Sequence, residues 1–236
     1  MSAVTPSADA RPVDPGQGRL RPLGVRNVSI DGGFWAHRQQ VNASATLEHC
    51  LSWMERLGWV GNFRAAAAGR VAERRTGREF SDSEIYKLSE AMAWEFARSA
   101  DASVQTTADK LAAEVAAAQD ADGYLSTAFG RPGQPPRYSD LEWGHELYCY
   151  GHLLHAGVAN ARTGGSGEFV EIATRAADHV CRTFGPGGND GICGHPGIEM
   201  ALVELARLTG RERYLDQAAL FVDRRGHRPL ADIRFG

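Results

Sequence analysis

Long apolar runs are missing from this 236-residue chain. None approaches the ~18 uninterrupted residues that a membrane-spanning helix requires, so no membrane is expected as a partner. Residues 1–24 are rich in Pro, Ala, Asp and Gly, and they lack the positive stretch and apolar core of a secretory signal. They therefore read as a disordered leader on a cytoplasmic protein. Cysteine is scarce: Cys50, Cys149, Cys181 and Cys193 are scattered, with no C-x-x-C pair. That argues against a disulfide framework and for reduced, mostly buried thiols. A large excess of either charge is also absent. The formal net charge is −3, and acids are mixed in where basic residues gather, as in Arg70-Val71-Ala72-Glu73-Arg74-Arg75. Such a surface gives nucleic acid no electrostatic footing. What is present, 43% hydrophobic and 23% charged residues, suits an ordinary globular domain.

Strand patterning is confined to Val25-Arg26-Asn27-Val28-Ser29-Ile30, which reads as one short strand stopped by Asp31-Gly32-Gly33. Elsewhere apolar residues recur at helical spacing. Helices are predicted over 39–57 (with Gly58 as its C-terminal glycine), 83–98, 103–119, 145–162, 167–184, 196–208 and 212–224. Gly130, Pro132, Gly133, Pro135 and Pro136 make 122–143 a long loop, and a second Gly-rich loop spans 185–194. That second loop has no Gly-Lys-Ser/Thr after it, so a phosphate cradle is not expected there.

The helices come in similar pairs. Ala159-Asn160-Ala161-Arg162-Thr163-Gly164 is followed by Phe169-Val170-Glu171-Ile172-Ala173. Likewise, Glu204-Leu205-Ala206-Arg207-Leu208-Thr209-Gly210 is followed by Tyr214-Leu215-Asp216-Gln217-Ala218. Thr163 and Thr209 are 46 residues apart, the period of a repeat of helical hairpins. Arg98-Ser99-Ala100-Asp101 makes a looser version of the same turn. Turns within hairpins are short and links between them long, so all the long links gather at one end. The fold class expected is all-α: about the first half of an (α/α)6 toroid with a decorated mouth, preceded by the short strand.

Three of the long links run into polar helix starts: Asp82-Ser83-Glu84-Ile85-Tyr86-Lys87, His145-Glu146-Leu147-Tyr148-Cys149 and His195-Pro196-Gly197-Ile198-Glu199. Ser83 or Asp82 is expected to cap its helix and Pro196 to open the first turn of its own. The repeat brings these starts to one rim, with His145 and His195 as the leading site candidates. A neutral imidazole donates and accepts at once, which suits sugar hydroxyls. The competing reading makes both of them capping or loop-packing histidines. His145, Cys149, His152 and His155 share a helical stripe. At 1.5 Å rise per residue, however, His145 and His152 are roughly 10 Å apart, too far to share one zinc. Asp82, Glu84, Glu142, Glu146 and Glu199 are candidate carboxylates, and spacing singles out no pair.

Taken in order, these motifs resemble glycoside hydrolase family 127, the β-L-arabinofuranosidase family. The matching pieces are Val28-Ser29-Ile30-Asp31-Gly32-Gly33-Phe34-Trp35, Asn62-Phe63-Arg64, the Asp82–Lys87 segment and Ala118-Gln119-Asp120-Ala121-Asp122-Gly123-Tyr124-Leu125. The His145–Cys149 segment with Gly151-His152-Leu153, the Gly194–Leu202 segment and the Thr-Gly turn complete the set. The resemblance covers Val25 to the end. It implies residues 25–236 as the N-terminal part of an (α/α)6 catalytic domain that β-rich domains follow. It also implies release of L-arabinofuranose with retention, by a cysteine thiolate held on zinc by further cysteines and a glutamate. Those groups, and the acid/base glutamate, fall in the second half of the toroid, which places them beyond Gly236. The resemblance therefore implies no catalytic residue and no metal ligand within residues 1–236, and a chain inactive alone. Substrate-binding residues are placed at His145, His195, Glu146 and Asp82. A half toroid leaves its inner face open, which predicts poor stability or association, as a homo-oligomer for example. The alternatives are another α/α-toroid carbohydrate enzyme, of the epimerase or unsaturated uronyl hydrolase type, or a non-catalytic helical-repeat binding protein.

Overall fold

The computed structural model describes Ser7, residues 9–13 and residues 17–227. Ten α-helices follow one another among them: α1 (Gly33–Val41), α2 (Leu47–Arg56), α3 (Trp59–Ala67), α4 (Val71–Arg74), α5 (Ser81–Ser99), α6 (Ala102–Ala118), α7 (Glu146–Thr163), α8 (Glu168–Phe184), α9 (Ile198–Thr209) and α10 (Glu212–Arg224). Helices α5, α7 and α9 stand side by side as an inner layer, and α6, α8 and α10 return outside them. α2 continues the inner layer beside α5, and α3 lies against α6. This is a partial helical toroid, as the hairpin repeat predicts.

The sequence dictates which faces meet. α8 buries Phe169, Ile172, Ala173, Ala176, Ala177, Val180 and Phe184 at helical spacing and keeps Glu171, Arg175 and Arg182 on its other side. α7, between two inner neighbours and one outer, is buried on most of its circumference, with Leu147, Leu153 and Leu154 fully enclosed. Each such leucine stabilises the fold by about 1.5–3 kcal/mol over an exposed one.

The two matching turns share one construction. Gly164 (φ 80°) and Gly210 (φ 68°) end α7 and α9 in the left-handed region, where a side chain would be strained. In the last turn the hydroxyls of Thr163 and Thr209 donate to the carbonyls four residues back, Ala159 and Leu205, both at 2.8 Å. Phe169 and Tyr214 then bury at 2% and 0% exposure. Ala100 (φ 59°) closes α5 the same way without a glycine, and Asp101 caps α6 through the Ser103 amide at 2.9 Å.

Several expectations need correction. Val25–Asn27 is a single 3-10 turn, and among the described residues no strand exists. Val28 and Ile30 are 58% and 46% exposed, and a lone extended segment has no ladder to join. The helix predicted at 39–57 begins earlier, at Gly33, and passes through a π turn at Asn42–Thr46 before α2. Helices α3 and α4 were not expected; α3 follows Gly58 (φ 77°) at once and buries Val60 and Phe63. Neither Asp82 nor Ser83 caps α5, which already starts at Ser81 with Phe80 at the cap position. Pro196 precedes α9 rather than opening it.

Of residues 1–24, Ser7 N–H donates to the Thr163 carbonyl at 2.8 Å, and Ala10, 1% exposed, accepts from the Val25 amide at 2.8 Å. Gly236, the position beyond which the catalytic groups are expected, lies outside the described residues, as do the other residues after 227. All four cysteines are free thiols; Cys149 and Cys193 are buried, Cys50 and Cys181 half-buried. Among the described residues no helix is long and apolar enough to cross a membrane.

Candidate functional site

The starts of α5, α7 and α9 lie at one end of the inner layer, and the long links run into them. His145 immediately precedes α7, and His195 lies on the link before α9. Their rings stack, with centroids 3.9 Å apart and planes 30° from parallel. Tyr148, one turn into α7, meets them edge-on at 5.6 and 6.2 Å. Phe80 closes one side of His145 at 5.3 Å. Trp143, 54% exposed, stands 6.1 Å from His195 on the solvent side. An aromatic patch with two imidazoles at its centre is suited to a sugar, whose faces are apolar and whose edges carry hydroxyls.

Carboxyl groups and arginines hold the first link, residues 119–145, in place. The Asp82 carboxylate, 2% exposed, accepts from the Thr127 amide (2.7 Å) and hydroxyl (2.6 Å). Glu146, 4% exposed, accepts from the Tyr124 hydroxyl and from the Tyr138 amide at 2.7 Å. Arg131 binds Asp120 at 2.6 Å and the Ser126 carbonyl at 3.0 Å, and Arg137 spans Asp120 and Asp122 over the face of Tyr124. The second link packs directly on the first. Gly194 N–H donates to the Leu141 carbonyl at 2.8 Å, and a Cβ at Gly194 would sit 2.1 Å from the Glu142 carbonyl oxygen. Only glycine permits that approach, and it sets His195 against His145. Arg225 ties the same link to Glu199 and to the Cys193 carbonyl.

Charge in the site follows from burial. His145 has its pKa lowered, first by burial and also by the neighbouring His195, so it is neutral near pH 7. Its Nδ1 faces the Trp143 carbonyl, which can only accept, so the proton sits on Nδ1 and Nε2 keeps a lone pair. Nδ1 of His195 is buried without a partner. Burial raises Glu146 to about 7 against the pull of Tyr124 and Tyr138. Burial pushes Glu199 up, but the Arg225 hydrogen bond and charge, together with the backbone amides of Gly197 and Glu199, hold it below the usual carboxylate range. Burial also pushes the thiol of Cys149 well up and that of Cys193 to about 11, so neither is a thiolate near neutral pH. Among the described residues no three His, Cys, Asp or Glu side chains are grouped to hold a metal ion.

Of the four predicted contact residues, His145 and His195 come together at the mouth. Both oxygens of Asp82 and of Glu146 are engaged behind it, with the first link. Sequence reasoning did not single out Trp143 or Tyr148. Tyr148 was within reach, because it lies three residues after His145 and shares its helix face; Trp143 carried no periodic signal.

Comparison with known proteins gives a consistent picture. The model of the β-L-arabinofuranosidase GH127 catalytic domain matches residues 27–234. A non-reducing end β-L-arabinofuranosidase from Bifidobacterium longum subsp. longum is 36% identical over 176 residues, 72% of this chain and 27% of the relative. A GH127 β-L-arabinofuranosidase from Geobacillus stearothermophilus T6 superposes with TM-score 0.80 at 32% identity, over 86% of this chain and 33% of that one. A second structure, of a GH127 β-arabinofuranosidase, superposes with TM-score 0.82 at 33% identity, over 93% and 35%. The chain thus spans about a quarter to a third of the length of these relatives.

Proposed function

The chain belongs to the GH127 β-L-arabinofuranosidase catalytic-domain family, and from that membership we propose that it supplies the sugar-binding wall of a retaining β-L-arabinofuranosidase. The observation that carries this reading is the stacked His145–His195 pair at three converging helix starts. Nε2 of His145 accepts from a furanose hydroxyl, and His195 meets the neighbouring one. Trp143 and Tyr148 bound the ring. Asp82 and Glu146 serve the sugar at one remove, by fixing the link that carries Trp143 and His145.

In this reading residues 25–236 are the N-terminal part of the catalytic domain and residues 1–24 a leader. The nucleophile, the acid/base group and the zinc ligands come from beyond Gly236, and the chain is inactive without them. Support comes from four of the five candidate carboxylates: Asp82, Glu146 and Glu199 are all engaged, and Glu84 is paired with Lys87. The free thiols favour a cytoplasmic, reducing compartment. Phe34, Trp35 and Met200, each at least 65% exposed, favour association, with further helices or with further copies of this chain.

A uronyl hydrolase reading has less support, because Lys87, a cation of the aromatic patch around Tyr148, is paired with Glu84 and offers an acidic sugar no net positive charge. Reading the DNA beyond codon 236 tests the proposal. A glutamate followed by a closely spaced cysteine cluster is expected, and an intact reading frame without them contradicts it.

A further inference from the structure

Glu84 and Lys87 connect to the histidine pair through the ring of Tyr148, and no hydrogen bond ties either of them to the links. They sit one turn apart at the start of α5, with Nζ 2.6 Å from Oε1 and side chains 34% (Lys87) and 28% (Glu84) exposed. Nζ of Lys87 also lies 5.3 Å from the centre of the Tyr148 ring. That ring touches His145 on one side and His152, at 4.7 Å, on another. The ion pair, the tyrosine and the two stacked histidines therefore form one continuous patch.

The chemistry of the pair is specific. An ionised carboxylate only accepts hydrogen bonds and an ammonium only donates them. Side by side, they complement two adjacent hydroxyls, one donating to Glu84 and the other accepting from Lys87. A lone ammonium would favour an acidic sugar. Here the carboxylate cancels that charge and repels a second one. We propose that the Glu84–Lys87 pair reads adjacent hydroxyls of a neutral sugar bound against His145 and His195, and that Glu84 excludes acidic sugars from the site. The inference rests on the sugar-binding reading of the mouth given above.

A plain helix-surface ion pair at this spacing contributes little to stability and nothing to recognition, so binding separates the two roles. The chain is titrated with methyl β-L-arabinofuranoside and, separately, with a methyl glucuronide, following the ring protons of His145 and His195 by NMR. A circular-dichroism melt checks that each variant is folded. In the wild type the furanoside shifts both histidines and the glucuronide neither. Lys87→Met weakens furanoside binding about tenfold or more, the loss of a charged hydrogen bond. Glu84→Gln admits the glucuronide. Unchanged furanoside binding by Lys87→Met overturns the proposal, as does a wild type that takes the glucuronide as readily as Glu84→Gln. If the furanoside shifts neither histidine in the wild type, the sugar-binding reading of the mouth fails, and this inference with it.

Discussion

The two ends of the inner helices are built on different principles. At the base, α7 and α9 each finish in a threonine, a left-handed glycine and a buried aromatic six or five residues on. The threonine hydroxyl bonds and the left-handed glycines that close those helices lie within a few residues in sequence. At the mouth, two links of no regular structure are held by partners far away: Asp82 on Thr127, Arg182 on Asp122, Gly194 against Glu142. The base sets the architecture, and the mouth carries the candidate chemistry. Damage at the base should cost only stability, whereas damage at the mouth should cost stability and sugar binding together.

The largest effect is expected from Asp82→Ala. It strands the Thr127 amide and hydroxyl in the interior and should destabilise the chain by about 2–4 kcal/mol in urea unfolding. It should also weaken furanoside binding, because the link carrying Trp143 and His145 loses its anchor. Gly194→Ala comes next. Its methyl collides with the Glu142 carbonyl, and pushing the links apart should cost about 1–3 kcal/mol and unstack His195 from His145.

Glu146 gives the mouth a pH signature. Its pKa is about 7 when folded and ordinary, 4.5, when unfolded. The folded state holds that proton more tightly, so its contribution is fully present below pH 4.5 and is lost as pH rises to about 7. The slope reaches at most about 1.4 kcal/mol per pH unit. His152, lowered to about 4 mainly by burial, acts in the opposite sense over part of that window. Glutamine cannot titrate, so the contribution of Glu146 is read as the stability that wild type gains relative to Glu146→Gln as pH falls from 7 to 4.5. A difference that does not vary with pH would mean that Glu146 titrates normally.

The smallest effect belongs to the base. Gly210→Ala meets open space and pays only for its left-handed backbone, about 1 kcal/mol, with furanoside binding unchanged. A loss of binding there would blur the contrast between the two ends.

That contrast also accounts for what the sequence made legible. Helix spacing and the Thr-Gly turns are local, so the hairpins and the repeat followed from the sequence directly. His145 and His195 were found because the repeat puts their helix starts on one rim. Asp82 and Glu146 looked like helix-start acids or sugar contacts, because nothing near them in sequence announces Thr127 or Tyr138 as partners. The predicted strand failed for a related reason: Val25–Ile30 alternates well enough, but pairing needs a neighbour that the described residues do not offer. α3 was overlooked because glycines at 58 and 61 resemble a loop, whereas burial of Phe63 and Val60 determines the outcome.

The central claim is that the mouth, and within it the histidine stack, is where this wall meets a sugar. A crystal of the chain soaked with methyl β-L-arabinofuranoside tests it most directly. The account predicts a furanose ring bounded by Trp143 and Tyr148, with hydroxyls on His145 and His195. It is contradicted if the sugar lies instead in a separate surface groove, the one lined by Trp94, His155 and Met200 among others, or if density appears on the wall while both imidazoles stay unliganded.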